Sequence, residues 1–163
     1  MIGDTMRPAA VQDHYPDGFA HCFGCGRLNE HGHRIKTYRD GDDAVARFRP
    51  EPYHVALPGF VYGGLIASLI DCHGIAAAAD AALRAEGVAI GQAPSPRYVT
   101  AALHVDYLKP TPLGMELELR ARVKRRSDRK AVVEVAVSAS GVVTARGEVV
   151  AVAMPAAMGG APA

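Results

Sequence analysis

Apolar and charged residues alternate without a break from Met115 to Lys124. Met115, Leu117, Leu119, Ala121 and Val123 face one way, and Glu116, Glu118, Arg120, Arg122 and Lys124 the other. A period of two with one wet face predicts a half-buried strand. Two further β-rich runs, Ala131–Ala139 and Val142–Ala153, follow across short turns at Ser127–Lys130 and Ser138–Gly141. A fourth run, Arg97–Leu108, precedes them and stops at Lys109-Pro110. Successive strands with short turns predict an antiparallel meander. Upstream, Arg34–Tyr38 and Ala44–Phe48 flank Asp40-Gly41-Asp42-Asp43, and the Asp-Gly step predicts a hairpin. Pro50–Tyr62 and Val88–Pro96, both rich in Pro and Gly, read as loops. Between them, Gly63–Glu86 is rich in Ala and Leu, contains no proline and ends at Gly87, so it predicts one long helix with a glycine C-cap. Gly74 inside that helix costs about 1 kcal/mol relative to Ala and calls for a packing reason.

The helix is apolar on nearly every side, and such a helix must be buried. Strands and helix do not alternate as βαβα, which argues against a doubly wound parallel sheet. The economical solution is an α+β fold in which one antiparallel sheet curls around the helix. A small sheet does not cover the helix completely, which points to a second subunit. From Leu65 to Ala79 the only formally charged residue is Asp71. At about 100° per residue, Gly64, Ala67, Ser68, Gly74, Ile75 and Ala78 share its side, while Leu65, Ile66, Leu69, His73 and Ala76 fall opposite. The bulky side is expected against the sheet, and the small side leaves room for a backbone or a ligand. A carboxylate in apolar surroundings needs a partner. Asp71 therefore has two readings: a structural acid paired with an arginine or a loop, or a reactive group. The second is favoured because the helix begins at Gly63-Gly64, whose N–H groups are free for a ligand roughly 10 Å along the axis from Asp71. His73 lies nearly opposite Asp71 and is expected as a core histidine. Ser68 lacks a Gly-x-Ser-x-Gly setting, which argues against serine-hydrolase chemistry. Cys72 is expected buried and inert.

The chain has 163 residues and is 49% hydrophobic, so it can build a core and is not intrinsically disordered. Its net charge of +1 argues against a general nucleic-acid binder. No run reaches the ~18 uninterrupted apolar residues of a membrane span. Three cysteines imply no disulfide framework and fit a reducing, cytoplasmic compartment. The polar residues 1–20 read as an N-terminal arm, residues 21–153 as one domain and 154–163 as a tail.

Cys22-Phe23-Gly24-Cys25-Gly26, with Asn29 and Gly32, resembles the N-terminal signature of the phenylacetate-degradation (PaaI-like) branch of the hot-dog-fold thioesterases. Pro58-Gly59-Phe60-Val61-Tyr62-Gly63-Gly64 with Asp71 is similar to that branch's Gly-x-x-His-Gly-Gly-x₆-Asp motif. Tyr107, Lys109, Pro110 and Gly114 resemble its Tyr-x-x-Pro…Gly turn. The likeness covers residues 20 to 153. It implies a hot-dog fold, a homodimer or dimer of dimers, and hydrolysis of acyl-CoA thioesters at sites between subunits, with no cofactor beyond the CoA of the substrate. It further implies that Asp71 is the catalytic carboxylate, that the N–H of Gly63 or Gly64 polarises the thioester carbonyl, and that Thr100 helps place water. Two positions depart from the pattern: Tyr62 stands where the motif has His, and Ala56 where some members carry Asn.

Cys22-x₂-Cys25 with His31 and His33 offers the donors of a zinc site, but the spacing is not that of a familiar finger, and the resemblance places the stretch in a metal-free segment. A packed turn is the expectation, with a redox pair as the other reading. Lys124, Arg125, Arg126, Arg129 and Lys130 form a basic turn, either solvated or in contact with CoA phosphates. His54, beside Tyr53, is a candidate to line the site with Tyr62, and His104 to face it from its strand. The reading is an acyl-CoA thioesterase. A non-catalytic acyl-ligand binding protein is the alternative, and a dehydratase of the same fold would need a different His/Asp pattern.

Overall fold

The structure is a computed structural model and describes residues 8–159. Six strands and one long helix follow in the order β1 (Thr37–Asp40), β2 (Asp43–Phe48), α1 (Gly63–Ala85), β3 (Tyr98–Tyr107), β4 (Leu117–Arg126), β5 (Lys130–Ala139) and β6 (Val142–Ala153). All pairings are antiparallel, in one sheet of order β1-β2-β4-β5-β6-β3. The sheet wraps α1, which is the hot-dog arrangement. Leu65, Ile66, Leu69 and Ile70 of α1 pack on the inward residues Leu117, Leu119, Val133, Val135, Val137 and Val149. By length and composition alone α1 is long and apolar enough to cross a membrane, a test that a buried core helix also passes, and most of it is buried inside this fold.

The helix ends as its sequence requires. Gly87 takes φ +70°, its N–H reaches Arg84 O at 3.0 Å and the N–H of Val88 reaches Leu83 O at 2.9 Å. This is a Schellman closure. Gly74 has its packing reason too: a Cβ there would stand 2.6 Å from Cγ2 of Val149. The absent side chain lets the helix lie directly on β6.

Several elements differ from their expected place. β4, β5 and β6 form the meander, but β3 does not precede β4 in space; it pairs with β6 at the far edge. The Leu108–Glu116 connection is long enough to cross the end of the sheet, so sequence order does not hold there. β1 starts at Thr37 rather than Arg34, because Arg34 adopts φ +53°, which a strand does not tolerate. Met115 lies outside β4 and is exposed. The stretch expected as a polar arm carries two short 3₁₀ turns, Val11–His14 and Asp17–Phe19, and buries Ala10, Val11, Gln12, Tyr15 and Ala20. Gln12 is anchored by a two-way bond with Thr37: its amide donates to Oγ1 (2.9 Å) and its Oε1 accepts the Thr37 N–H (2.8 Å). Residues 1–7 of the arm and 160–163 of the tail lie outside the described residues.

Candidate functional site

The small-residue side of α1 is not uniform. Gly74, Ile75 and Ala78 are buried by the fold, whereas Gly64 is exposed and Ala67, Ser68 and Asp71 are half-buried. The open part is therefore the N-terminal two turns. Thr100 Oγ1 donates to Asp71 Oδ1 at 2.5 Å. Thr100 sits where the β3–β6 register shifts, between Thr100 and Ala102, and such a bulge re-aims a side chain. Burial pushes the Asp71 carboxyl above its ordinary value, the Thr100 hydroxyl pulls it partly back, and Cys22 adds to the rise. A half-buried carboxyl with a raised pKa and a single hydroxyl partner is suited to proton transfer.

The helix N-terminus is held by its neighbours and left uncapped. Tyr62 occupies the N-cap position with extended backbone and no side-chain cap bond. Its ring lies over Gly64, where a Cβ would come within 2.4 Å of it. Tyr107 Oη donates to Gly63 O at 2.7 Å, which ties β3 to the first turn of α1. The loop leading in is braced by the β4-side connection: the Val61 N–H reaches Thr111 O (2.9 Å) and the Leu113 N–H reaches Gly59 O (2.8 Å). A cavity of about 350 Å³ opens beside this end, bordered by Gly63, Tyr107, Lys109 and Thr111. N–H groups at an uncapped, glycine-built helix start favour developing negative charge.

Tyr62 and His54 are joined through backbone, since the Tyr62 N–H reaches His54 O at 3.0 Å. The His54 ring turns elsewhere. Its Nδ1 accepts the Glu51 N–H (2.9 Å), and it packs edge-on to Tyr53 and His33 beside Phe48. Burial lowers its pKa. With Phe23 and Arg49 this cluster borders a separate cavity of about 410 Å³. His104 does not face Asp71. It bonds to Asp106 Oδ1 (3.1 Å) on the outer face of the sheet, in a charged concavity with Arg120, Arg122 and Glu148. His73 is fully buried with Nδ1 on Thr37 Oγ1 (2.9 Å), and burial holds it neutral with a pKa lowered to about 4. The basic turn is solvated, and Lys124 pairs with Glu134 at 3.2 Å.

Sequence reasoning missed two features. Asp80, a second acid on α1, is buried and paired with Arg39 at 2.6 Å, the structural role that Asp71 does not have. Cys72 converges with Cys22 and Cys25, all three Sγ atoms lying within 4.8 Å of one another. Only the first had a local signal, the Arg84 one turn later; the second depends on how the N-terminal loop lies over α1.

The thioesterase superfamily model matches residues 58–146. The acyl-coenzyme A thioesterase THEM4 of Xenopus laevis is 36% identical over 86 residues, which is 53% of this chain and 33% of that protein; the chain thus spans a third of that curated relative. A crystal structure of a thioesterase superfamily protein from Shewanella loihica shares 50% identity, covers 85% of this chain and 98% of its own, and superposes with a TM-score of 0.66. The Escherichia coli PaaI protein of the phenylacetic acid degradation operon shares the fold at 17% identity, with a TM-score of 0.61 over 76% of this chain and 81% of its own. The wrapped helix, the glycine-built helix start and the match over residues 58–146 together make this chain a member of the hot-dog thioesterase superfamily.

Proposed function

We propose that the protein hydrolyses an acyl-CoA thioester to a carboxylic acid and free CoA. The observation that carries this reading is the pairing of Asp71 with Thr100 on the open side of a helix that is otherwise buried and whose N-terminal N–H groups are uncapped. The thioester oxygen binds at the N–H groups of Gly63 and Gly64, where charge developing on it is stabilised. Asp71 acts on the carbonyl carbon in one of two ways. As general base it takes a proton from water while the hydroxyl adds to the carbon, and the thiolate of CoA then leaves and takes up that proton. As nucleophile it forms a mixed anhydride, expelling the thiolate, and water opens the anhydride. Thr100 orients the carboxylate, Tyr62 flanks the oxygen site, and His54 supports Tyr62 through its backbone.

The site is incomplete in one chain. Asp71 lies beside β3, an edge strand whose second edge pairs with no strand among the described residues and whose Leu103 and Tyr107 are exposed. An open apolar edge beside the reactive carboxylate supports a homodimer, or a dimer of dimers, that closes the site. Three free cysteines support a reducing, cytoplasmic setting.

The experiment measures CoA release from short, medium, long and aryl acyl-CoAs by wild type and Asp71→Asn. The expected result is turnover that falls about 10²–10⁴-fold in the variant with oligomeric state unchanged. Equal turnover in Asp71→Asn overturns the assignment of Asp71. Saturable binding of acyl-CoA with no release across the panel replaces hydrolysis by acyl-ligand binding, the reading that Tyr62 in place of the motif histidine favours.

A further inference from the structure

We infer that Cys22, Cys25 and Cys72 form a three-thiolate binding site for a single Zn²⁺-class cation. The inference is independent of the hydrolytic reading. Three sulfurs from two distant segments meet at one point, all within 4.8 Å of one another. The Cys22–Cys72 Sγ separation is 3.8 Å. Zn–S bonds of about 2.3 Å in tetrahedral geometry place their sulfurs roughly 3.8 Å apart, so this edge already has the length a bound ion requires. A disulfide would need the same atoms at about 2.05 Å and would leave the third thiol over.

The surroundings are built for the convergence. Cys22 and Cys25 lie on one tight loop, closed by the Gly26 N–H on Cys22 O at 2.7 Å. Its outer carbonyls are taken as well, Phe23 O by the His33 N–H (2.8 Å) and Gly24 O by the Ile35 N–H (3.2 Å). A Cβ on Gly24 would stand 2.3 Å from Cys72 Sγ, so the glycine is what admits the helix sulfur. Cys25 and Cys72 are buried, and Cys22 is the partly exposed member. Three thiolates fill three positions of a tetrahedron and leave the fourth to a water or another ligand.

The histidines that the linear spacing offers do not join. His31 is exposed beside Glu30, and the His33 ring packs edge-on against Phe23, Phe48 and His54. Cys72 takes their place, fifty positions away in the chain.

The test titrates reduced, chelator-stripped protein with Co²⁺ and then with Zn²⁺. The expected result is one Co²⁺ per chain with thiolate-to-metal charge-transfer absorption, abolished by one equivalent of Zn²⁺. Cys72→Ser should weaken binding by more than the roughly 10–100-fold typical of losing a supporting residue, whereas His31→Ala and His33→Ala leave it unchanged. In the wild type, which needs no variant to fold, Zn²⁺ should protect all three cysteines from alkylation, read by mass. Absence of charge-transfer absorption, binding unchanged in Cys72→Ser, or binding lost in either histidine variant overturns the site. So does alkylation of the three thiols at the same rate with and without Zn²⁺.

Discussion

Gly74→Ala tests how closely α1 is held to the sheet. Elsewhere in a helix this substitution gains about 1 kcal/mol. Here the new methyl would meet Val149 Cγ2 at 2.6 Å and Val149 Cβ at 2.9 Å. Ordinary carbon contacts lie near 3.5–4.0 Å, so helix and strand must separate by about 1 Å. Val149 has little freedom to yield. It is β-branched and its backbone is paired on both sides, with Leu103 of β3 and Val133 of β5. With so little freedom to yield, overpacking falls in the upper part of its usual range, about 2–3 kcal/mol, which outweighs the propensity gain, and the expected net loss is about 1–2 kcal/mol. For a chain of this size that lowers Tm by roughly 2–8 °C. Asp71 lies one turn earlier on the same helix, and β3 carries Thr100, so the same displacement lengthens their 2.5 Å hydrogen bond and lowers turnover. The assay is a double-mutant cycle with Val149→Ala, read by urea denaturation. In the Val149→Ala background the methyl has space and Gly74→Ala becomes stabilising by about 1 kcal/mol. The coupling is then about 2–3 kcal/mol, well outside the 0.3–0.5 kcal/mol of independent sites. A stabilised Gly74→Ala single variant, or an additive cycle, would refute the close-contact argument.

Other predictions concern single groups. His73 has a folded-state pKa near 4 against an ordinary 6.5, so the unfolded chain binds the extra proton between those values and stability rises with pH across that window. The gap corresponds to about 3 kcal/mol, measured in the presence of chelator as the difference in acid sensitivity between wild type and His73→Gln; equal sensitivity counts against it. Arg39→Met leaves Asp80 buried with Arg84 Nε at 3.4 Å, and should cost about 2–3 kcal/mol in chemical denaturation, less than the 3–5 of a fully orphaned charge. Tyr107→Phe removes the hydroxyl that fixes Gly63 O, and is expected to lower kcat/KM about tenfold while costing only about 1 kcal/mol of stability; an unchanged kcat/KM would detach Tyr107 from the oxygen site.

The chain's local patterns already determine its elements. The alternation from Leu117 to Val123, the proline-free run of α1 and Gly87 at its end each depend on neighbours a few positions away, and each element forms within a few residues of its expected place. The apolar circumference of α1 likewise requires that something wrap it, which makes the wrapped-helix fold legible before any coordinates. Asp71 stands out for the same reason, as a charge on a helix that has almost none. What the local pattern does not carry is which distant segments touch. β3 joins β6 rather than β4 because the Leu108–Glu116 connection is long enough to leave sequence order, and only that placement brings Thr100 to Asp71 and Tyr107 to Gly63. The residues before Ala20 read as polar, yet Val11, Gln12 and Tyr15 are buried because Thr37 and the face of α1 around His73 receive them. Cys72 reads as an inert core thiol until the loop at Gly24 folds onto it. Periodicity reports which face of an element is dry, and the pairing of faces is decided by chain connections and side-chain volumes summed over the whole fold. Such contacts exist only once tertiary packing has closed the distance between them.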